Sequence, residues 1–557
     1  MTYILGISCY YHDSAACLLK EGKIIAAAEE ERFTRKKHDN SFPINAINFC
    51  LSYAKIESNK LTYIGFYEKP MLKFDRILSN AIMYYPRAFG QFEKAVPQWL
   101  TEKLRLPTTI RKRLKYKGEI IFIDHHLSHA ASSYFLSGYD DSAIITADGI
   151  GEWNSTAIYH GKDNKITLLK SIKYPHSLGL FYSTITSFLG FKVNNDEYKI
   201  MGLAAYGKPS YYQKLRKLID FKEDGSFKLD MSYFSYRYKE RMYSDKFIRE
   251  FGKPRKPFGK VTKRDEDTAF SCQKIAEEIM MNMAEYARKL TKSQNLCIAG
   301  GVGLNSKANG TLLIESKFKD VFFMPVAGDD GGGVGAAKYI WHSIMNKKEK
   351  ETLTRLDYGP EFSEAQIEEF LKSNSIKYEK LNDQNLAEHV SKSIYENKVI
   401  GWFQGRLEFG PRALGNRSIL ANATNAEMKD IVNLKVKHRE EFRPFAPAVL
   451  KEKASEHFIL KKEAPFMIYT TYAKDNNTPA TTHIDNTSRP QTVDQEISPR
   501  YYKVIEEFEK LSGVPVILNT SFNVMGMPIV CTPKDAYDCF NVTDIDILVM
   551  GNCVIEK

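Results

Sequence analysis

The sequence predicts an α/β fold divided between two large domains. Two stretches, 296–305 and 321–333, indicate α/β structure, because each places an apolar strand directly before a glycine-rich loop and a helix. The division into domains follows from length, since 557 residues exceed what a single hydrophobic core normally holds. A hydrophobic fraction of 43% and a charged fraction of 26% are typical of a folded globular protein.

Short apolar runs bounded by turn residues predict the remaining elements. The predicted strands lie at 4–8, 15–19, 23–28, 63–67, 119–123, 142–147, 156–159 and 514–519. The predicted helices lie at 44–53, from 125 onward, at 266–292 and at 533–540. Two segments without clear periodicity, 69–117 and 209–264, are predicted insertions, and the first of them is predicted to be helical and lid-like. A charged stretch at 346–354 predicts a boundary between domains at 1–350 and 351–557.

Hydropathy, the N-terminal sequence, the cysteines and the net charge indicate where the protein works and what it binds. No apolar run approaches the roughly 18 residues of a membrane helix, and the N-terminus lacks the features of a signal peptide. The eight cysteines are scattered without CxxC pairs, which favours free thiols in a reducing compartment. We therefore expect a cytoplasmic protein without a membrane partner. The net charge of +11 is attributed to basic residues spread along the chain, so nucleic acid is not an expected partner.

The segment 405–418 gives the strongest indication of a binding site. It sets Arg406, Arg412 and Arg417 on a frame of three glycines and a proline. Guanidinium groups match phosphate and carboxylate oxygens two at a time, and glycine lets the backbone approach a ligand closely. Further basic residues are Lys435, Lys437, Arg439, Arg443 and, in a later polar loop, Arg489. We predict a site for a nucleoside triphosphate and a second phosphorylated compound. The alternatives are a solvated basic face and, for Arg489, ordinary turn chemistry.

Two histidines and two aspartates are candidate metal ligands. His125 and His129 are four residues apart, which places both imidazoles on one face of a helix. Asp148 and Asp329 each follow a predicted strand, and strand ends meet at one rim of an α/β sheet. This mixed set of nitrogen and oxygen ligands suits Fe(II), Mn(II) or Zn(II). The alternative is that the histidines are ordinary surface or core residues. There is no HExxH motif, so the general base of a thermolysin-like protease is missing.

Two charged positions near the N-terminus are further candidates. His12 lies in the turn between the first two predicted strands, where a neutral imidazole would accept a proton from a hydroxyl nucleophile. A structural turn histidine is the alternative. The run 29–38 changes from acidic to basic, and it is either a solvated charge run or a segment in which Lys37 closes over an anion.

Five motifs, in this order along the chain, resemble those of one known family. They are YYHDSAA at 10–16, EEERFTRKKH at 29–38, HHLSHAAS at 125–132, GGVGLN at 300–305 and the arginine segment at 405–418. Over nearly its whole length, the chain resembles the O-carbamoyltransferases of the NodU/CmcH type, which decorate nodulation factors, cephamycins and aminoglycosides.

The resemblance implies an actin-like, sugar-kinase-superfamily N-terminal domain followed by a YrdC-like α/β C-terminal domain. It implies that the C-terminal site makes carbamoyl-adenylate from ATP and carbamoyl phosphate, with Mg²⁺ accompanying the ATP. The N-terminal site would then transfer the carbamoyl group, beside a divalent metal expected to be Fe(II), to a hydroxyl of a small-molecule acceptor such as a sugar or an antibiotic. Whether the metal would polarise the carbamoyl carbonyl or grip the adenylate phosphate is left open.

The resemblance also implies a role for individual residues. The implied metal ligands are His125, His129, Asp148 and Asp329, with Asp330 as the alternative to Asp329, and the implied general base is His12. The implied adenylate contacts are Lys37, Gly300, Gly301, Gly303 and Asn305. The implied ATP and carbamoyl phosphate contacts are Arg406, Arg412, Arg417, Lys437, Arg439, Arg443 and Arg489.

Two other functions compete with this interpretation. A small-molecule kinase of the same superfamily would suit the glycine loops, but it would leave the arginine segment and the histidine pair unexplained. A tRNA-modifying protein of the threonylcarbamoyl type should show a stripe of basic residues interleaved with aromatic ones, which the sequence lacks.

Overall fold

The computed structural model describes residues 1–557, apart from the side chain of Lys435. It contains two compact units, of which unit 1 comprises residues 1–27 and 40–353 and unit 2 comprises residues 28–39 and 354–557. Sheets flanked by helices occur in each unit, so the prediction of an α/β fold is confirmed. The segment 28–39, which lies inside the domain predicted at 1–350, groups with unit 2.

The elements up to residue 353 follow one another in short succession. The strands are β1 (Tyr3–Ser8), β2 (Ala15–Lys20), β3 (Lys23–Glu29), β4 (Tyr63–Phe66), β5 (Glu119–Phe122), β6 (Asp141–Ala147), β7 (Asn154–Lys162), β8 (Lys165–Lys173), β9 (Ile219–Phe221), β10 (Phe227–Leu229), β11 (Asn295–Ala299) and β12 (Asp320–Phe323). The helices are α1 (Glu31–Thr34, in unit 2), α2 (Ile44–Ala54), α3 (Pro70–Met83), α4 (Phe89–Gln98), α5 (Leu106–Leu114), α6 (His125–Tyr134), α7 (Leu178–Phe188), α8 (Glu197–Ala204), α9 (Tyr212–Arg216), α10 (Asp245–Phe251), α11 (Lys263–Thr291), α12 (Ser306–Glu315) and α13 (Gly332–Tyr339).

Unit 1 repeats one sheet topology twice. The first sheet has the order β3-β2-β1-β4-β5, and the second has the equivalent order β8-β7-β6-β11-β12. In the first sheet, β1 runs antiparallel to β2 and parallel to β4, which is parallel to β5. In the second sheet, β6 likewise runs antiparallel to β7 and parallel to β11, which is parallel to β12. This duplicated arrangement is that of the actin-like and sugar-kinase superfamily, so this part of the fold prediction is confirmed.

Helix α13 reaches the first sheet and helix α6 through glycines. A Cβ on Gly6 of β1 would lie 1.9 Å from the carbonyl oxygen of Gly333, and a Cβ on Gly335 would lie 1.8 Å from the carbonyl oxygen of Ser128 in α6. Only glycine allows backbones to approach this closely. The glycine run after β12 therefore lets α13 pack tightly between its neighbours, and it fixes α6 relative to the first sheet.

Residues 69–117 and 209–264 differ in structure. The first segment contains α3, α4 and α5, with a π-helical turn at Trp99–Lys103. The second contains two short helices and the β9–β10 hairpin, followed by the long helix α11. Helix α11 begins with a capping box, because Thr262 and Asp265 each accept a backbone N–H of the first turn. Among the described residues, no helix is both long and apolar enough to cross a membrane.

Unit 2 is built on one eight-stranded sheet between two layers of helices. Its strands are β13 (Glu379–Lys380), β14 (Ile400–Phe403), β15 (Arg417–Asn422), β16 (Ala446–Leu450), β17 (Thr471–Tyr472), β18 (Thr487–Ser488), β19 (Gln491–Val493), β20 (Val516–Ser521), β21 (Ile547–Met550) and β22 (Cys553–Glu556). The sheet order is β13-β22-β21-β14-β15-β20-β16-β19, and β17 and β18 form a separate pair. The helices are α14 (Glu364–Ser373), α15 (Asp383–Tyr395), α16 (Met428–Ile431), α17 (Ala454–His457), α18 (Pro499–Ser512) and α19 (Pro533–Asn541).

The two faces of this sheet bury alternate side chains of each strand. On β15, Leu420 packs with residues of α15 and α18, whereas Ile419 packs with residues of α14 and α19. Side chains of a strand point to opposite faces in turn, so both faces carry an apolar core. The loop before β15, which contains the arginines, is thereby anchored at the end of a buried strand.

Candidate functional site

In unit 1, four of the predicted ligands converge on one point. Nε2 of His125 lies 2.8 Å from Oδ2 of Asp148 and 3.7 Å from Oδ1 of Asp329. Nε2 of His129 lies 3.2 Å from Nε2 of His125, and 3.3 Å and 3.7 Å from the same two carboxylate oxygens. Both histidines are completely buried. The spacing of four residues in α6 and the two strand ends therefore do meet, as the sequence predicts.

These separations fit a metal site. Ligand atoms bound about 2.1 Å from one cation at right angles lie about 3 Å apart, close to the distances within this cluster. A cation between the two facing Nε2 atoms could accept a lone pair from each imidazole. In addition, Oδ2 of Asp329 is buried and has no hydrogen-bond partner among the described residues. The cluster is thus a group able to hold a divalent metal.

The electrostatics of the cluster favour bound cations. Burial raises the pKa of Asp148, but hydrogen bonds from His125 and His129 outweigh burial and hold it well below its usual value. Burial likewise lowers the pKa of His129, yet the hydrogen bonds to Asp148 and Asp329 raise it to about 9. Both shifts show that the two carboxylates together demand positive charge at this position.

A buried carboxylate that the sequence analysis missed sets the start of α6. Glu152 accepts the backbone N–H of His125 at 2.9 Å and that of Lys69 at 2.8 Å. Acidic groups at a helix N-terminus satisfy its free N–H groups and favour its dipole. Glu152 therefore fixes the first turn of α6, where His125 lies. Its separation of 27 residues from His125 leaves no local signal in the sequence.

The neighbours of the cluster have structural partners. His126 contacts Oγ1 of Thr146 at 2.8 Å and the carbonyl of Asn154 at 2.9 Å, and burial lowers its pKa to about 3. Asp330, the alternative to Asp329, accepts the N–H of Gly331 at 3.0 Å and stays outside the four-residue group. The geometry therefore favours Asp329 as the ligand.

The predicted adenylate loop passes beside Asp148. A Cβ on Gly301 would lie 2.9 Å from Oδ1 of Asp148, and one on Gly300 would lie 2.3 Å from the carbonyl oxygen of Ala147. Gly300 also has a φ of +88°, a region that favours glycine, and Gly303 is buried in the next turn. These glycines keep the loop open beside the cluster.

Asn305 ends this loop with internal partners. Its Oδ1 accepts the N–H of Ala308 at 3.0 Å as the N-cap of α12. Its amide also exchanges hydrogen bonds of 3.0 and 3.1 Å with Gln273. Asn305 therefore has a capping role in the structure beside any contact with a ligand.

His12 is held at both ring nitrogens. Nδ1 bonds Oδ2 of Asp13 at 2.6 Å, and Nε2 contacts the carbonyl oxygen of Asn194. Burial lowers the pKa of His12, but the Asp13 carboxylate and the Asn194 carbonyl outweigh it and raise the pKa to about 10. The imidazole is consequently protonated at neutral pH in this arrangement, and it can act as a base only after Nε2 leaves Asn194.

In unit 2, the segment 28–39 is an N-terminal strap on the arginine loop. Glu29 accepts the N–H of Gly410 at 2.7 Å, and Arg32 donates to the carbonyl of Gly410 at 2.8 Å. Arg32 and Glu29 are themselves a buried pair, 3.0 Å apart. The strap thus holds both peptide groups of Gly410, two residues before Arg412.

Lys37 lies on the same strap. Its Nζ lies 3.0 Å from a carboxylate oxygen of Glu31, which also accepts the N–H of His38 at 2.9 Å. The side chain of Lys37 is about one-third exposed.

The arginine loop is folded around the carboxylate of Glu408, another residue that sequence reasoning missed. One oxygen of Glu408 accepts the N–H of Leu414 at 2.7 Å and that of Asn416 at 2.8 Å. Gly415 has a φ of +107°, and a Cβ there would lie 2.3 Å from the ring of Tyr501. The motif GRLEFG contained this glutamate, but its role depends on the folded loop.

Arg412 and Arg489 are cations without an acidic partner. Within the part of the chain that the structure describes, neither guanidinium has a carboxylate neighbour or a hydrogen-bond acceptor, and Nε of Arg412 is buried without one. Burial and the charge of Arg489 hold the pKa of Arg412 well below its usual value. Burial and the charge of Arg443 lower the pKa of Arg489 to about 10. Positive groups this close together favour a bound anion.

The other predicted anion contacts are engaged with the protein. Arg417 is completely buried, lies 3.6 Å over the Phe403 ring and donates to the carbonyl of Asn416 at 3.0 Å. Lys437 is 3% exposed and bonds Oδ1 and the carbonyl of Asn523, both at 2.9 Å. These contacts favour a supporting role for both residues over direct contact with a ligand.

Arg406, Arg439 and Arg443 lie between these extremes. Arg406 donates to the carbonyl of Gly359 at 3.2 Å, Arg439 donates to Oδ1 of Asn433 at 2.6 Å, and Arg443 lies 3.7 Å from Glu440. Arg406 also donates to the carbonyl of Tyr358, and Arg439 also donates to the carbonyl of Pro444 at 3.4 Å, so both are anchored in their own neighbourhoods.

Comparison with known proteins now identifies the class. The chain matches the family described as carbamoyltransferase N-terminus over residues 3–338 and the one described as carbamoyltransferase C-terminus over residues 391–557. It therefore belongs to the carbamoyltransferase family and is an enzyme of that class. The predicted resemblance to the NodU/CmcH type is confirmed.

Curated relatives extend over most of the chain. The chain is 44% identical to an uncharacterized protein of Synechocystis sp., over 100% of this chain and 97% of that protein. It is 36% identical to nodulation protein NolNO of Sinorhizobium fredii, over 98% of this chain and 79% of that protein. It is 37% identical to nodulation protein NolO of Bradyrhizobium diazoefficiens, over 78% of this chain and 79% of that protein.

Proposed function

We propose that the protein is an ATP-dependent O-carbamoyltransferase with two half-reactions. In the first, carbamoyl phosphate and water give carbamate and phosphate, and carbamate and ATP then give carbamoyl-adenylate and pyrophosphate. In the second, a hydroxyl of a small-molecule acceptor attacks the carbamoyl carbon and releases AMP. We assign the first to residues 351–557, a YrdC-like domain completed by the strap, and the second to residues 1–350.

The unpaired guanidinium groups of Arg412 and Arg489 are the observation that carries this proposal. ATP and carbamoyl phosphate together bring several negative charges into one site, which needs cations that no protein carboxylate already neutralises. Arg443, Arg406 and Arg439 would add donors at the rim of this site. Arg417 and Lys437 would hold the loops from behind. Mg²⁺ would accompany ATP, held mainly by phosphate oxygens.

At the transfer site, His125, His129, Asp148 and Asp329 would hold a divalent metal, and we propose Fe(II). A metal there would supply positive charge either to the carbamoyl carbonyl oxygen or to the adenylate phosphate. The loop of Gly300, Gly301 and Gly303, with Asn305 at its end, would leave room for the adenylate beside Asp148. We propose Lys37, which lies on the strap of unit 2, as a contact for an anionic ligand.

His12 would take the proton from the acceptor hydroxyl. Asp13 would hold the hydrogen on Nδ1 and so leave the lone pair on Nε2, as the orienting carboxylate does in other histidine bases. For this step the Asn194 carbonyl must move away from Nε2. An incoming hydroxyl would take the place of Asn194.

The nature of the nucleotide product tests the proposal. With ATP, carbamoyl phosphate and a mixture of hydroxyl compounds, we expect AMP and pyrophosphate to appear together. In addition, pyrophosphate should exchange into ATP only when carbamoyl phosphate is present. The duplicated sugar-kinase topology favours one second candidate, a small-molecule kinase. Formation of ADP with a phosphorylated acceptor would establish that candidate and reject the carbamoyl route.

A further inference from the structure

The segment 69–117 carries most of the net charge of the chain. It contains twelve lysines and arginines but only three acidic residues, a net +9, against +11 for all 557 residues. Three of the twelve, Lys69, Lys73 and Lys94, pair with carboxylates outside the segment, so its basic character belongs mainly to its last part. Six of the twelve lie between 105 and 117, where there is no acidic residue, and all six are exposed.

The same segment exposes large apolar side chains in an ordered pattern. Met71, Leu78 and Ile82 lie at spacings of seven and four residues, which places them along one side of α3. Ile82 is 70% exposed, and the side chain after it, Met83, is 68% exposed. Phe89 continues the surface into α4. Exposed apolar side chains grouped in this way mark an interaction surface.

The combination of basic and aliphatic side chains indicates which of three partners fits this surface: a second copy of the chain, RNA or a lipid bilayer. A second copy of the chain would place one strongly basic surface opposite another, which is repulsive. RNA would match the charge, and the exposed rings of Tyr85 and Phe89 could stack on a base, but the row on α3 is aliphatic and offers a base no stacking partner. A bilayer with anionic headgroups matches both, because aliphatic side chains enter the headgroup boundary while lysines and arginines meet the phosphates.

We propose that α3, α4 and the basic stretch 105–117 dock unit 1 on the surface of an anionic lipid bilayer. The binding is peripheral, since no described helix could span a membrane. This replaces the expectation of no membrane partner, which considered spanning segments and signal peptides alone.

The docking surface borders the His/Asp cluster. Lys69, just before α3, pairs with Asp124 at 2.7 Å, and Asp124 directly precedes His125. On the buried side of α3, Nζ of Lys73 lies 4.0 Å from the centre of the Tyr11 ring, next to His12. Docking would therefore bring the candidate transfer site close to the membrane surface.

Vesicle sedimentation with the full chain tests this surface. We expect binding to phosphatidylcholine vesicles that contain about one-third phosphatidylglycerol, and little binding to phosphatidylcholine alone. Raising the salt from about 0.05 to 0.5 M should weaken binding at least tenfold, because it screens the headgroup charge. Equal binding to neutral vesicles, or no binding to either, would overturn the proposal.

Paired variants separate this surface from the rest of the molecule. Ile82→Gln with Met83→Gln, and Lys112→Glu with Lys115→Glu, should each reduce vesicle binding at least tenfold while thermal unfolding stays unchanged. The controls are Leu168→Gln with Leu169→Gln, which are exposed apolar residues on β8, and Lys317→Glu with Lys319→Glu; these should bind as the parent does. Unaltered vesicle binding by the first two variants would reject the surface. If these variants instead lost self-association or RNA binding, the surface would be assigned to a second copy of the chain or to RNA, and the membrane proposal would be rejected.

Discussion

At the scale of single residues, the two candidate sites differ in how their charges are paired. In unit 1, two carboxylates face two imidazoles within hydrogen-bond distance, and the cluster needs a cation to satisfy atoms such as Oδ2 of Asp329. In unit 2, Arg412 and Arg489 face no carboxylate among the residues that the structure describes. The first arrangement demands positive charge and the second demands negative charge, so the effects of mutations should separate between the two half-reactions.

Arg412→Ala should therefore reduce carbamoyl phosphate-dependent exchange of pyrophosphate into ATP at least a hundredfold, since it removes a charged donor to phosphate. Transfer from supplied carbamoyl-adenylate should change less than threefold. His129→Ala should show the opposite pattern. The matched control is Arg355→Ala, an exposed arginine paired with Asp357, which should leave both half-reactions intact. Equal damage to both half-reactions by both site variants would contradict the division of labour.

The pH dependence of transfer should report His12. A base works only when deprotonated, and the pKa of His12 is about 10 with Asp13 and Asn194 in place. The rate of transfer from supplied carbamoyl-adenylate should then rise with pH from neutrality upward. Asp13→Asn removes a carboxylate that raises this pKa, so the rising limb should move to lower pH and the maximal rate should fall. An unshifted limb in Asp13→Asn would exclude His12 as the titrating base.

At the scale of secondary-structure elements, the metal cluster depends on where α6 lies. The helix is fixed at its start by Glu152 and along its length by the glycine contact with α13. Two of the four ligands are on α6, so a small movement of this helix would separate them from Asp148 and Asp329. The position of α6 is therefore expected to decide metal retention as well as stability.

Gly335→Ala should move α6. The new Cβ would lie 1.8 Å from the carbonyl oxygen of Ser128, so we expect a loss of about 1–3 kcal/mol in the free energy of unfolding. Metal content of the purified protein should fall with it, as measured by elemental analysis. Gly90→Ala in α4 is the control, because a Cβ there meets nothing within 4 Å. A normal Tm and full metal content in Gly335→Ala would show that α6 is not held by this contact.

Much of the candidate site could be predicted because its signals are local. The spacing of His125 and His129 and the strand ends before Asp148 and Asp329 specify the cluster through helix and sheet geometry. Glu152, Glu408 and the Asn194 carbonyl were missed, since each acts across a fold that no short pattern describes. The sequence alone does not tell which arginines bind a ligand and which bind the protein, because this depends on tertiary contacts. Among the described residues Arg412 has no partner, whereas Arg417, five residues away, donates to backbone carbonyls.

At the scale of the whole molecule, the second unit is assembled from distant parts of the sequence. Residues 28–39 pack with residues 354–557 through Arg32, Phe33 and Arg35. Phe33 packs against the apolar group of Leu407, Ile529 and Cys531, and Arg35 donates to the carbonyl of Ile529 at 2.6 Å. The strap therefore serves as structure for a unit that lies more than 300 residues further along the chain.

Arg32→Ala should harm the first half-reaction although Arg32 touches no substrate. Its loss leaves Glu29 buried without a cation and Glu31 with Lys37 alone, and it frees the carbonyl of Gly410, so we expect destabilisation of about 3–5 kcal/mol. At a low temperature, at which Arg32→Ala remains folded, its KM for ATP should be higher than that of the parent protein. Arg35→Ala, which loses its contacts with Asp535 and Ile529 but not one with Gly410, is the control for loosening of the strap alone. An equal rise in KM in both variants would mean that the grip on Gly410 has no particular role.

The strap also sets an order of events during synthesis. Arg35 leaves the ribosome 500 residues before its partner Asp535, an interval of roughly 25–100 s at ordinary speeds of translation. Throughout that time a segment bearing three glutamates and two arginines remains in solvent, joined to neighbours that can already fold. Folding of unit 2 can therefore finish only late in synthesis, when residues 354–557 have been made and can pack with residues 28–39.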